Sequence, residues 1–470
     1  MRRALLIGLV SLLLPTQALA GGLFLGGHGV RPLGRGGAFT AGGDDPGGIW
    51  YNPATIAGVK GWDVLLDGSL IFLTLDYQRV DSGGNLDIYP EVSNDNPLIP
   101  IPTLGLAKEV VRDKLTLGFS FSAPYSGISN FPRPNYGPCA DRNAPRKCID
   151  TAATDAPQRY SLISLDGTLF LQLDLAAAWQ IVPEVALGVS LQNTFVNFQS
   201  LNSISSYNGF SSGPEDPEFD SLSQMVLTDL FNPSGKVGLV ITPIPDVRIG
   251  ISYQLPVWIG GDARVDVQLP ASPLYSKSHV EGSLAQVRLT LPMVLRVGVE
   301  VRLIPNLRLE VGFDWEQWSV MEALRIKPDG VYIYNIPGID KYEVPEMSVT
   351  LNLRDTFAVR LGGEYFFQTI PLALRLGYIY ESGAVEDVYA SVMAWDDDKH
   401  MATLGLSYTV GGFRLDLVYA HTFMNERTVD YRESQAMQIN PINPSGAVAV
   451  GGGRYRGMID LVGIGINKSF

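Results

Sequence analysis

From Gly61 onward, apolar and polar residues alternate with period two. The segment KLTLGFSFS places Leu115, Leu117, Phe119 and Phe121 on one face, opposite Thr116, Gly118, Ser120 and Ser122. LRLEVGFDW places Leu307, Leu309, Val311, Phe313 and Trp315 opposite Arg308, Glu310, Gly312 and Asp314. Segments beginning near Val247, Phe357, Leu372, Met401 and Phe413 follow the same rule. Such alternation is that of β-strands with one face in an apolar medium. Proline precedes the strands after Pro183, Pro245, Pro305 and Pro371, where its missing N–H costs no ladder bond. Short turns alternate with long polar stretches at 81–102, 123–159, 199–234, 327–352 and 424–454. That asymmetry is expected of an outer-membrane barrel with periplasmic turns and external loops. Strand starts fall near Trp62, Leu104, Lys114, Tyr160, Val185, Gly235, Val247, Leu284, Leu307, Asn352, Pro371, Met401, Phe413 and Tyr455. The fold class is therefore all-β: a transmembrane antiparallel β-barrel of about 14 strands over residues 61–470. A soluble sandwich would carry charge on its polar face. Here that face repeats glycine, at Gly118, Gly188, Gly250, Gly298, Gly312, Gly362, Gly377 and Gly405. Glycine weakens a solvated strand but suits a lumen in which another backbone approaches closely.

What precedes the first strand changes the picture. Residues 1–20 combine Arg2 and Arg3, an apolar run and Ala18-Leu19-Ala20, as expected of a cleaved secretory signal peptide. Its removal would take the formal charge from -13 to -15, because two arginines leave with it. An acidic chain is a poor partner for nucleic acid. Export places Cys139 and Cys148 in an oxidising compartment, where a disulfide across this short loop is expected. The four histidines, His28, His279, His400 and His421, form no recognisable catalytic arrangement, and no metal site or cofactor is expected. An enzyme is therefore not the expected function.

Residues 34–58, GRGGAFTAGGDDPGGIWYNPATIAG, hold eight glycines. A phosphate-binding loop is excluded, because GxxxxGK[ST] is absent and the GxG sets lack the third glycine. A loose linker has no need of Phe39, Ile49, Trp50, Tyr51 and Ile56. The remaining reading is a plug of residues 21–60 packed in the lumen, its backbone groups satisfied by polar side chains of the wall. On Gly34, Arg35, Gly36, Gly37, Ala38, Ala41, Asp44, Asp45, Asn52, Pro53 and Ala54, the stretch resembles the N-terminal hatch of the FadL family of outer-membrane transporters. The resemblance implies a fourteen-stranded barrel and passive uptake of long-chain fatty acids or of monoaromatic hydrocarbons. It also implies a hatch that shifts on ligand binding, and side exit at a kinked strand. Trp50 and Tyr51, beside Asn52-Pro53-Ala54, are the expected gate.

The expected partners are hydrophobic small molecules, outer-membrane lipid and lipopolysaccharide, and the barrel assembly machinery, with the protein a monomer. A long acyl chain does not cross a wet pore readily, since wetting a dozen methylenes costs about 10 kcal/mol. Phe219, Leu222, Val226 and Leu230 fall at helical spacing in the 199–234 stretch and suggest an amphipathic capture helix. Phe131, with Tyr125, Ile128 and Tyr136, would form its other wall. Arg248, Arg288, Arg296, Arg308, Arg360 and Arg375 share the lumen-facing parity. Arg288, Arg296, Arg360 and Arg375 are candidates for binding a carboxylate, and pairing with Glu300, Glu310, Asp314 and Glu364 is the competing use. A hydrophilic porin and an adhesin or structural barrel are the rival functions; neither needs a plug.

Overall fold

The computed structural model describes residues 27–96, 98–125, 129–133, 156–209, 213–270, 272–336 and 338–470. The expected signal peptide, residues 21–26 of the expected plug, Ile128, Tyr136, Cys139 and Cys148 lie outside them.

Fourteen strands cross the wall: β1 Trp62–Arg79, β2 Ile99–Val111, β3 Leu115–Tyr125, β4 Leu169–Val182, β5 Val185–Ser205, β6 Asp220–Ile244, β7 Val247–Gln254 with Val257–Gln268, and β8 Leu284–Leu291 with Val294–Ile304. The set continues with β9 Leu307–Glu316, β10 Thr356–Phe366, β11 Leu372–Glu381, β12 Lys399–Val410, β13 Phe413–Met424 and β14 Gly453–Ser469. Each pairs antiparallel with the next. β14 returns to β1 in one unbroken register from Asp63 opposite Ser469 to Arg79 opposite Gly453, closing the sheet and leaving no free edge. Six short turns join the strands at one end and longer connections at the other.

The period-two pattern is resolved as expected. Leu66, Phe72, Leu117, Leu175, Leu187, Val311, Leu376, Leu417 and Ile464 are exposed on the outer face. Thr116, Ser120, Asp174, Ser190, Ser252, Glu300, Arg360 and Asp416 are buried on the inner one. Trp62, Trp179, Phe413 and Phe470 mark one rim of the outer face, and Trp258, Tyr378 and Phe423 the other, as membrane-interface girdles do.

Strand starts at Ile99 and Thr356 lie within five residues of the expected ones, and two others differ by more. β4 begins at Leu169, because residues 157–161 form a turn that packs under the loops. β6 begins at Asp220, fifteen residues before the expected Gly235, so the suggested capture helix is strand. Over 222–227 this strand is apolar on both faces, Leu222 and Val226 outward and Met225 and Leu227 inward, and the two faces together imitate a helical period. A bulge follows: Val196 lies opposite Asp229 but Thr194 opposite Asn232, so Leu230 and Phe231 bulge outward.

Candidate functional site

The described part of the plug, from Gly27, lies inside the barrel. It holds two short helices, Val30–Gly34 and Gly48–Tyr51, and a 3-10 turn Pro53–Gly58. Asn52 shapes that turn: its Oδ1 accepts from the Ala54 N–H at 3.0 Å. Its Nδ2 donates to the Thr40 carbonyl at 2.9 Å and to the wall's Leu239 carbonyl at 3.1 Å. Gly36 and Gly37 both take positive φ, 61° and 66°, which few residues other than glycine adopt.

The glycines of the wall fit the plug backbone. A Cβ on Gly377 would land on the Gly36 nitrogen, one on Gly362 on the Arg35 carbonyl, one on Gly250 on the Thr40 carbonyl and one on Gly188 on the Ala54 nitrogen. Gly118, Gly298 and Gly405 also face the plug, whereas Gly312 meets Arg360 of its own wall.

Charge fixes the plug laterally. Arg35 is fully buried and reaches Glu300 at 2.8 Å, Glu310 at 3.4 Å and Glu364 at 3.6 Å. Arg31, one helical turn earlier, pairs with Asp44, with Asp45 at 2.8 Å and with Glu364 at 3.0 Å. The wall answers with Arg308 on Asp44 at 2.8 Å and Arg414 on Asp45 at 2.7 Å. Burial would raise the Asp44 carboxyl, but Arg31 and Arg308 outweigh it and hold it well below the usual carboxylate range. Glu310 also accepts from the Ala41 and Gly42 N–H groups, each at 2.9 Å. Trp50 and Tyr51 are buried edge to face, with ring centroids 4.7 Å apart. The Lys236 Nζ holds the Trp50 carbonyl at 2.6 Å.

The six arginines chosen by parity separate into groups. Arg360 pairs with Asp314 at 2.7 Å, and Arg375 with Glu364 at 2.7 Å and Asp416 at 3.3 Å. Arg308 pairs with Glu364 at 2.9 Å, and Arg248 donates to the Gly43 carbonyl at 3.1 Å. Arg288 is exposed on the outer face, so it is not a lumen candidate. The Pro292-Met293 interruption of β8 moves the inward set from Ala285, Val287 and Leu289 to Val294, Arg296 and Gly298. Arg296 is fully buried, and no described residue accepts a hydrogen bond from any of its three guanidinium nitrogens. Arg31, Lys236, Arg414 and Asp416 were not selected from the sequence. Asp416 and Arg414 alternate with outward Leu415 and Leu417 in FRLDLVY, which was a usable signal.

The expected capture residues do not form one surface. Phe219 is buried among Leu269, Tyr275, Ile333 and Ile336 beneath the loops. Phe131 is buried in a separate core with Leu162, Phe170 and Val196. Leu222 and Val226 lie partly covered on the outward face of β6, and Leu230 is 62% exposed at its bulge.

Two small spaces are lined in part by apolar residues, and the smaller one touches the plug. One, of about 100 Å³, lies under the loops among Leu162, Met225, Leu324, Ile326 and Met393. The other, of about 40 Å³, is a slot against Leu33 of the plug, walled by Ile71, Ile379, Met401, Ala420 and Leu461. It ends on Lys399, which pairs with Glu381 at 3.4 Å and with Asp396.

The wall itself is interrupted beside the plug. β6 pairs with β7 up to Lys236 opposite Gln254, and again from Leu227 opposite Ala263. Residues 228–235 and 255–262 between these points form no ladder pairs with each other. The joint is held by the Leu255 N–H on the Gly235 carbonyl at 2.9 Å, by Ser234 Oγ on the Leu255 and Pro256 carbonyls at 3.1 Å each, and by the Gly260 N–H on Asp229 at 3.3 Å. Leu230, Phe231 and Trp258 flank it on the lipid side. The β2–β3 pairing is continuous from Thr103 opposite Ser122 to Glu109 opposite Thr116.

A closed barrel with an apolar outer face, its lumen occupied by a charged and glycine-matched N-terminal segment, has the architecture of an outer-membrane channel. The family described as outer membrane protein transport protein (OMPP1/FadL/TodX) matches residues 166–459, and the chain belongs to it. That match does not include residues 34–58, so it is independent of the hatch resemblance. Among solved structures, a Pseudomonas aeruginosa FadL homologue superposes with TM-score 0.73 at 16% identity, covering 96% of this chain and 100% of that one. The Ralstonia pickettii toluene transporter TbuX gives TM-score 0.62 at 16% identity, with 95% and 99% covered. The P. putida toluene transporter TodX gives 0.63 at 13%, also with 95% and 99% covered. At these identities the likeness establishes the shared fold. Comparison by sequence with curated proteins finds no match. The protein is a Gram-negative outer-membrane transporter of hydrophobic substrates.

Proposed function

We propose that the protein takes up long-chain fatty acids passively: they are collected beneath the loops, held against the plug, and released sideways into the membrane. The observation that carries this reading is the combination of a lumen occupied by the plug with an apolar slot on the plug's surface. A solute with a long apolar body gains by leaving water for such spaces, at roughly 0.8 kcal/mol per buried methylene. The slot beside Leu33 is apolar over most of its lining and carries the Lys399–Glu381 ion pair, which gives an amphiphile a polar place for its head. Movement of Trp50 and Tyr51 with the plug is the gating step in this reading, and no covalent chemistry or energy source is required.

The interrupted joint between β6 and β7 is the proposed exit. One backbone bond and the Ser234 and Asp229 side chains hold it in place of a continuous ladder, and such links exchange more readily than a run of paired strand groups. Its outer lip, Leu230, Phe231 and Trp258, is apolar and exposed. A cross-link tests this directly. Asp229→Cys with Gly261→Cys places a disulfide across the joint two positions beyond the Leu227–Ala263 pair, where a Cβ on Gly261 would lie 4.0 Å from the Asp229 Oδ2. Oxidation is expected to block uptake of radiolabelled oleate and reduction to restore it. Full uptake in the oxidised, cross-linked protein would rule out this exit.

The second reading is uptake of monoaromatic hydrocarbons. The small volume of the slot, about 40 Å³, favours it, as do the toluene transporters among the shared folds.

A further inference from the structure

On the outside of the wall, at the end where the long loops lie, three cations gather just above the membrane girdle. Trp258 of β7 marks that girdle, 65% exposed and opposite Thr290 of β8. Two residues farther along the strands, about 7 Å, Arg288 stands exposed opposite Gly260. Beyond β8 the wall is extended by the strand Ala323–Asp329, with Leu324 buried inward and Arg325 and Lys327 exposed outward. The register sets Arg325 directly opposite Arg288, and Lys327 opposite Gln286. Residues paired in this way project from the same face with Cβ atoms about 5 Å apart, and like charges so placed repel.

Among the described residues, Arg288, Arg325 and Lys327 form no ion pair with a carboxylate. The acids on the same stretch of wall are placed elsewhere. Asp262 lies opposite Gln286, Asp329 lies opposite Leu284, and Asp266 is taken by Arg264 at 2.8 Å. Outward cations on β14 are built differently: Arg456 pairs with Glu91 at 2.5 Å, and Arg454 donates to the Gln78 Oε1 at 2.7 Å. A chain of formal charge -13 has acids enough to neutralise three cations. Setting two of them in register with each other, away from any acid, is instead the arrangement of a site for an external anion.

We infer that Arg288, Arg325 and Lys327 bind the phosphorylated sugar head of lipopolysaccharide, whose acyl chains lie below it against Trp258 and Leu255. Height selects a lipid over a free phosphate. Interfacial tryptophans sit at the level of the headgroups, and the cations begin one strand repeat outside Trp258. Trp258 and Leu255 are both exposed, so a single amphiphile reaches the cations and the apolar wall together. Each guanidinium offers a planar fork to phosphate oxygens, and a phosphate between Arg288 and Arg325 turns their repulsion into a shared attraction. Lys327 adds a point charge farther from the membrane. The surface lies outside the barrel, so the inference is independent of what passes through the lumen.

The test measures binding of bisphosphorylated lipid A and of its dephosphorylated form to the purified, full-length protein in detergent, by native mass spectrometry. Phosphatidylglycerol and inorganic phosphate serve as competitors. The phosphorylated form is expected to bind more tightly. Arg288→Gln combined with Arg325→Gln should weaken it about tenfold to a hundredfold, the range for losing charge-assisted hydrogen bonds, and leave the dephosphorylated form unchanged. Arg456→Gln should change neither. Without lipid, the double variant should unfold at the same temperature as the unmodified protein or a higher one, because a like-charge pair has gone. Lys327→Gln, expected to weaken binding about threefold, provides a second test if the double variant folds poorly. Equal affinity for the two forms of lipid A, no loss in either variant, or displacement by phosphatidylglycerol or inorganic phosphate at matched concentration would overturn the site.

Discussion

With residues 34–58 deleted, the protein conducts ions in planar bilayers as a long-lived open pore, whereas the intact chain gives little or no current. The effect is large because the plug fills the lumen in several ways at once. Its backbone abuts the inner wall at Gly188, Gly250, Gly362 and Gly377, positions where even a Cβ would collide. Removing it exposes Glu300, Glu310, Glu364 and Asp416 to the lumen. Water then hydrates them, so the barrel persists and its interior becomes cation-attracting. A barrel of fourteen strands is wide enough to need filling; only much smaller ones are closed by their own side chains. Unchanged small-ion conductance after the deletion would contradict the role given to the plug.

Arg35→Ala has the next largest expected effect. Arg35 is the plug residue that meets three wall carboxylates, Glu300, Glu310 and Glu364. Truncating one partner of a buried ion pair leaves the other uncompensated, at about 3–5 kcal/mol. The plug is expected to leave its seat for part of the time. Amide hydrogen exchange should then rise across residues 30–58 while the wall strands stay protected, and intermittent conductance should appear. Arg112→Ala, in an exposed turn where the side chain is 92% accessible, should change neither. Protection of the plug equal to that of the unmodified protein would mean that its glycine contacts alone hold it.

These expectations draw on features that the sequence reveals unequally. The barrel is legible because lipid on one face and a polar lumen on the other impose period two on every strand. The plug is legible because glycine beside Trp50, Tyr51 and Ile56 makes sense only where backbone is packed. Parity places Arg360, Arg375 and Arg308 in the lumen, where they meet Asp314, Glu364 and Asp416. The failures have separate local causes. Pro292-Met293 changes parity and turns Arg288 outward, a turn at 157–161 delays β4, and apolar residues on both faces of β6 over 222–227 resemble a helix. None of these is resolved without knowing the partner strand. The lack of acceptors around Arg296 is also invisible in one dimension, since it depends on Asp314 already serving Arg360. Arg31 could have been found: it lies four residues before Arg35, on the short helix that Arg35 caps.

The central claim is that this channel admits hydrophobic compounds while excluding water-borne solutes. The most direct measurement is uptake by cells that lack their own such transporter and express this one, comparing radiolabelled oleate, toluene and a small sugar, with bilayer conductance recorded in parallel. The account predicts saturable oleate uptake, no added sugar uptake and no open-pore current. Sugar uptake with steady conductance, and no gain for oleate or toluene, would contradict it.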